Sequence, residues 1–236
     1  ANPYFQFKKI LRYGTIKCAM KVGTDGVFCL GAWASTERCQ RILDVGTGTG
    51  LIALMLAQRS TAILDAIDID LEHVYKLGKT SQNRLSQPDQ VYQTSLSEYM
   101  PDENIKYDLI VSNPPYFIDS LKCPDTKRNL ARHTDTLSLP DLLRDSRKLL
   151  APEGNIVGAS LRATGVFNRH RSRRVFVSIE RSPRFPHTGR PPKRLLIELS
   201  ATPVAKPKSS HLTLEIERHR YSEEFTAIAK DFYLKM

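Results

Sequence analysis

Arg41-Ile-Leu-Asp-Val-Gly-Thr-Gly-Thr-Gly50, followed by Leu51-Ile-Ala-Leu-Met-Leu-Ala57, decides how this chain folds. Residues 41–45 form a short apolar run with one acid, the pattern of a buried strand. Glycines at 46, 48 and 50 then read as a tight turn, because glycine takes backbone angles other residues avoid and lets a ligand approach the main chain. From Leu51 to about residue 58 the chain is apolar enough for a buried helix. A dinucleotide-binding turn of the form G-x-G-x-x-G would need glycine at 51, where this chain has leucine, so a pyrophosphate site and an NAD-dependent enzyme are disfavoured. Taken alone, the turn can also be read as a plain tight strand-to-helix connection.

Working outward, the same alternation repeats. Strands are expected at 63–69, 91–94 and 107–112, with a helix at 71–84, and a short apolar helix over 27–33 leads into the core. A helix over 140–150 precedes a strand at 155–159. Later strands at 194–199 and 212–216 and a helix over 222–233 complete the pattern. The expectation is an α/β, doubly wound, Rossmann-like sheet, mostly parallel and finishing in an antiparallel C-terminal hairpin. The slot of a crossover helix, 161–175, is spoiled by Gly165 and the basic run Arg169-His-Arg-Ser-Arg-Arg174, and its structure stays open.

A length of 236 residues suits one domain with a full core, divided as an N-terminal segment, 1–40, and a core, 41–236. The net charge is +10, unevenly spread: 162–194 carries +9 and 1–21 carries +5, leaving −4 for the rest. Two basic segments around a mildly acidic body point to a polyanion, because phosphate contacts release condensed counterions. No apolar run is long enough to cross a bilayer and no secretory signal is visible. Cys18, Cys29, Cys39 and Cys123 lack zinc-type spacing, so no metal is expected, and they read as reduced thiols of a cytoplasmic protein.

Asp68 ends the second core strand beside the Gly turn, where a carboxylate can accept both hydroxyls of a ribose. Asp44, the alternating Gly46, Gly48 and Gly50, and Asp68 together resemble the class I S-adenosylmethionine methyltransferases. The resemblance implies that the turn lies under the methionine and ribose of the cofactor. An acid after the third strand often meets the adenine in that family, and Ser95 stands there in this chain.

Asp108-Leu-Ile-Val-Ser-Asn-Pro-Pro-Tyr116 ends the fourth core strand, with Asn113 lying 63 residues after Gly50. Pro114 and Pro115 stiffen the backbone and remove two N–H donors, leaving carbonyls as acceptors. In the resembling fold such a strand end adjoins the cofactor's sulfonium. An exocyclic amine there would donate to the Asn113 side-chain oxygen and the Pro114 carbonyl, with its lone pair aimed at the methyl group. Tyr116 would stack on the planar substrate, as a base drawn from its helix requires. The motif identifies a planar amine or amide: adenine N6, guanine N2 or a glutamine side chain.

Cys18-Ala-Met-Lys-Val-Gly-Thr-Asp-Gly26, Leu30-Gly-Ala-Trp33, Ala131-Arg-His-Thr134 and the terminal Tyr221-Ser-Glu-Glu-Phe and Asp231-Phe-Tyr-Leu-Lys-Met236 narrow that choice. With Asn113-Pro-Pro-Tyr116 they resemble the bacterial tRNA1(Val) adenine-37 N6-methyltransferases over nearly the whole chain. The resemblance implies a cytoplasmic enzyme acting on adenine 37 of a valine tRNA; a monomer is expected. It implies Lys21, Gly23 and Thr24 in a lid near the methionine end, and Arg132 and His133 against phosphate or the target nucleotide. Arg171, Arg173 and Arg174, from the basic run, are further candidates for RNA contact. Another RNA or DNA base amine, or a protein glutamine amide, is the alternative substrate.

Overall fold

The computed structural model describes residues 4–5, 13–14, 34–70, 72, 88–113, 137, 139–160, 174–180, 194–202, 209–213, 215–217, 220–230 and 232. The expected helices over 27–33 and 71–84 lie outside the described residues, apart from position 72, which is helical. A two-residue ladder, β1 (Tyr4–Phe5) with β2 (Tyr13–Gly14), precedes the main body.

The main sheet begins with β3 (Arg41–Val45), helix α1 (Leu51–Arg59), β4 (Ile63–Asp68), β5 (Gln90–Gln93) and β6 (Tyr107–Ser112). Helix α2 (Leu139–Leu149), β7 (Leu150–Ser160), β8 (Arg174–Glu180), β9 (Arg194–Ser200) and β10 (Ser209–Thr213) follow. A small ladder, β11 (Glu215–Glu217) with β12 (Arg220–Tyr221), leads into α3 (Glu223–Ala229). The eight strands of the sheet lie in the order β10-β8-β9-β7-β6-β3-β4-β5. Strands β5, β4, β3, β6 and β7 are mutually parallel, and β9 runs antiparallel to both neighbours, β7 and β8. The doubly wound α/β reading therefore holds, with the antiparallel pair made by β8 and β9.

Strand periodicity sorts the core onto two faces. Ile42, Leu64, Leu109, Val111, Val157 and Leu196 face α1, where Leu51 through Leu56 are all buried. Leu43, Val45, Ile67, Ile110 and Ile156 pack on the other face with Leu142 and Leu149 of α2. Phe225 and Ala229 of α3, with Phe232 just beyond it, return to the α1 face and join Leu196 of β9 and Leu212 of β10. The C-terminal helix thus helps to cover β9 and β10 on that face. Its start is held by Ser222, whose hydroxyl accepts from the Phe225 N–H at 3.0 Å and donates to the Thr213 carbonyl.

Three details differ from the pattern read in sequence. Strand pairing on the β6 side starts at Leu150, five residues early, with an irregularity before Asn155. There a Cβ on Gly154 would stand 2.7 Å from the Tyr107 carbonyl oxygen, so only glycine fits. The expected strand at 212–216 is divided between β10 and β11, and β10 pairs parallel with β8, leaving β9 to β7 and β8. Finally, β8 was not anticipated. Its alternating Val175, Val177 and Ile179 are a strand signal hidden directly behind the arginine run.

Candidate active site

The site is built where strand succession reverses. From β3 the sheet continues to β4 and β5 on one side, and to β6 and β7 on the other. Ligand crevices in such sheets open at the carboxyl ends of the strands flanking that point. Val45 pairs with Ile67 on one side and with Ser112 on the other. The next residue of each strand, Gly46, Asp68 and Asn113, therefore stands at one level along the same sheet edge.

The backbone at Gly46, Gly48 and Gly50 has φ of 67°, 54° and 76°. Each glycine meets a conformational requirement that would cost another residue roughly 1–2 kcal/mol. The Gly46 and Thr47 N–H groups both donate to the Ile67 carbonyl, at 2.9 and 3.1 Å, which folds the turn over the end of β4. The Gly48 N–H donates to Oδ2 of Asp68 at 2.7 Å. Among the described residues, a Cβ on Gly46 would meet nothing within 4 Å, and one on Gly48 only the Gly46 carbonyl at 3.9 Å. The space above the turn is, among the described residues, one that a side chain would enter and that the bare glycines leave open.

Two acids support the turn. Asp68, nearly buried at the tip of β4, accepts from Gly48 through Oδ2 and from the Asp70 N–H through Oδ1 at 2.8 Å. Asp44 is fully buried beneath the turn, and its Oδ2 accepts the Thr47 hydroxyl at 2.7 Å. Among the described residues, its Oδ1 is buried without a hydrogen bond of normal geometry. Burial pushes the Asp44 carboxyl up to about 7, aided by the charge of Asp68 and opposed by the Thr47 hydroxyl and the Ala53 N–H of α1. A cation arriving at this edge would favour the ionised form, so the donor set suits a ligand with a positively charged end.

Comparison with known proteins fits this geometry. The methyltransferase small domain matches residues 29–160. A tRNA1(Val) (adenine(37)-N6)-methyltransferase of Parabacteroides distasonis is 75% identical, with both chains covered in full. One from Bacteroides fragilis is 43% identical, again over the full length of both. This chain belongs to the tRNA1(Val) (adenine(37)-N6)-methyltransferase family. Among solved structures, a predicted O-methyltransferase from Agrobacterium tumefaciens superposes with a TM-score of 0.61 at 16% identity, covering 87% of this chain and 96% of that one, a likeness of fold.

In this methyltransferase Asn113 is half-buried at the end of β6, and the preceding Ser112 is fully buried. The Ser112 hydroxyl donates to the Val45 carbonyl at 3.0 Å, directly before the Gly turn. Ser95 follows β5, whose end is tied to β4 by the Thr94 N–H donating to the Asp68 carbonyl at 2.9 Å. Its hydroxyl donates to Oε2 of Glu98 at 2.8 Å and lies 3.0 Å from the Ser97 hydroxyl. Asp44, Gly46, Gly48, Gly50, Asp68, Ser95 and Asn113 are thus brought to one edge.

Lys21, Gly23, Thr24, Pro114, Pro115, Tyr116, Arg132, His133, Arg171 and Arg173 lie outside the described residues. The backbone of Arg174 opens β8, paired with Leu199, which in turn pairs with Ile156 and so stands level with Ile110. That is two residues short of Ser112 and three strand spacings away, roughly 14 Å across the sheet. The Arg174 backbone therefore enters the sheet below the level of Gly46, Asp68 and Asn113. Sequence reading did not single out the hydroxyls of Thr47 and Ser112. Their signal is a polar residue inside an otherwise apolar, buried stretch.

Among the described residues, no group of three or more His, Cys, Asp or Glu side chains could hold a metal ion, and no helix is long and apolar enough to cross a membrane. Cys39 is a free thiol, and burial together with nearby Asp108 and Glu198 pushes it up to about 11.

Proposed function

We propose that this methyltransferase transfers a methyl group from S-adenosylmethionine to N6 of adenine 37 in a tRNA1(Val), acting as a cytoplasmic monomer. The observation that carries the reading is the common level of Gly46, Asp68 and Asn113 at the open edge of the sheet. A glycine turn, a carboxylate and a side-chain amide at one level support a cofactor site beside an amine site. The full-length relatives supply the substrate.

Bound S-adenosylmethionine would supply a methyl carbon made electrophilic by its sulfonium. Gly46, Gly48 and Gly50 would let its methionine and ribose lie against bare backbone, and Asp68 would accept the ribose hydroxyls. Ser95, at the end of β5, is assigned to the adenine side. Lys21, Gly23 and Thr24 are assigned to a lid from the segment 1–40, over the catalytic core 41–236. The Asn113 side-chain oxygen and the Pro114 carbonyl would accept the two N–H groups of the target amine, with Tyr116 stacked on its ring and Pro115 stiffening the strand end. Formation of the N–CH3 bond would break the bond from sulfur to that carbon and leave S-adenosylhomocysteine, and the nitrogen would lose a proton to solvent. No strong base is required, so catalysis rests on orientation and on carbonyl dipoles facing developing positive charge. Arg132, His133 and the basic run with Arg171, Arg173 and Arg174 are assigned to the RNA.

Transfer of labelled methyl to tRNA lacking the modification, followed by nucleoside analysis, tests this. N6-methyladenosine at position 37 of a valine tRNA is expected. Asn113→Ala should reduce its formation by about 10²–10³-fold, the usual effect of removing one polar group aligned to developing charge, with S-adenosylhomocysteine affinity retained. Label found only in a different RNA or in a protein amide would overturn the substrate.

A further inference from the structure

Ser112 is a polar side chain inside the sheet, and its place there has no packing explanation. Its neighbours along β6, Ile110 and Val111, are buried and apolar, and Ser112 itself is 1% exposed. A buried hydroxyl without a partner is costly, and this one has a partner at a particular place. It donates to the carbonyl of Val45 at 3.0 Å. Val45 is the last residue of β3 before the chain turns to positive φ at Gly46. Ser112 is the last residue of β6 before Asn113. The hydroxyl is therefore a side-chain link between the strand end bearing the glycine cradle and the strand end bearing the candidate catalytic amide. It lies where both strands are leaving the sheet and ladder hydrogen bonds run out.

We infer that Ser112 is a positioning residue, whose hydroxyl fixes the level of Asn113 against the glycine turn and so couples the cofactor cradle to the amine-binding side chain. The inference rests on the reading of Asn113 as the amine acceptor for its effect on turnover, and on geometry alone for the coupling itself. Removing the hydroxyl leaves the backbone pairing of Val45 with Ser112 in place. It would free the Asn113 side chain to sample positions in which its oxygen no longer faces the incoming amine. Loosening of that kind lowers the rate of the chemical step more than it weakens ligand binding.

The test uses the full chain as wild type, Ser112→Ala and Ser112→Thr. The side-chain amide signal of Asn113, assigned by its loss in Asn113→Ala, is followed by ¹H–¹⁵N NMR with and without S-adenosylhomocysteine. A shift on addition is expected in wild type and Ser112→Thr, and should fall by at least half in Ser112→Ala, with calorimetric affinity for S-adenosylhomocysteine within about threefold. An unchanged shift in Ser112→Ala would overturn the inference whatever the substrate. Methyl transfer to tRNA is then measured: kcat should drop about tenfold in Ser112→Ala, recover in Ser112→Thr, and show no further drop when Ser112→Ala is added to Asn113→Ala. A full additional drop in that double variant would mean a general structural role and would also overturn it. Wild type that shows the NMR coupling but labels no tRNA would refute the proposed substrate and leave the role of Ser112 standing.

Discussion

The two halves of the sheet reach the same architecture by different routes. From β3 to β6 the strands are all parallel, with β6 crossing back to lie beside β3, and the polar residues serve the strand ends. Asp108 accepts the Gln40 and Arg41 N–H groups at 2.7 and 3.0 Å, and Asp89 accepts that of Leu64 at 2.7 Å. Buried Asp65 gathers Arg41 and the Tyr107 hydroxyl, each at 2.7 Å, and Tyr107 meets Tyr99 at 2.7 Å. From β7 onward the strands run in mixed directions. Strand β9 inserts between β7 and β8, and α3 comes back from the end of the chain to cover β9 and β10. The first half carries the candidate site and the second helps to cover the α1 core, so the two should respond differently to mutation.

The largest expected effect is on stability, from the second half. Phe225 is 2% exposed in the cluster shared by α1 and α3. Phe225→Ala should cost about 3–5 kcal/mol, lowering the melting temperature by roughly 10 °C while S-adenosylhomocysteine affinity below the transition stays within a factor of two. A large affinity loss at full folding would break the division between the halves. Gly48→Ala should do the reverse. Its positive φ costs about 1–2 kcal/mol, and a methyl group in the cradle should weaken S-adenosylhomocysteine at least tenfold by calorimetry.

The smallest effect is a pH dependence confined to the first half. Asp44 holds its proton up to about pH 7 in the native state, whereas an unfolded aspartate releases it near pH 4. Native protein binds more protons across that window, so stability should fall as pH rises from about 4 to 7 and level off above it. Asp44→Asn should flatten that slope in denaturant titrations. In wild type, affinity for S-adenosylmethionine should climb severalfold from pH 6 to 8, because the cation favours the ionised carboxylate. An equal climb in Asp44→Asn would remove Asp44 as its source.

Legibility in the sequence follows the same division. The glycine turn, Asp68 and Asn113 could be placed because each lies at a strand end, and strands beginning at 41, 63 and 107 are apolar runs bounded by polar residues. The alternation of glycines at 46, 48 and 50 is a local backbone requirement, written directly as residue type. Strand β8 escaped notice because the neighbouring arginines mask an alternation only seven residues long. The expected pairing of the last strands differed in detail because antiparallel partners are chosen by the geometry of the whole sheet.

By itself, then, the sequence determined the βα succession, the open turn and the amide-bearing strand end, all of which depend on residues within a few positions of one another. Tertiary structure alone decided that Val45, Ile67 and Ser112 share one register, that the last helix covers the β9 face, and that Asp44 loses its water while keeping one hydroxyl partner. The reason is physical: register, burial and desolvation depend on which distant segments pack together, and a residue's type does not name its neighbour across the sheet.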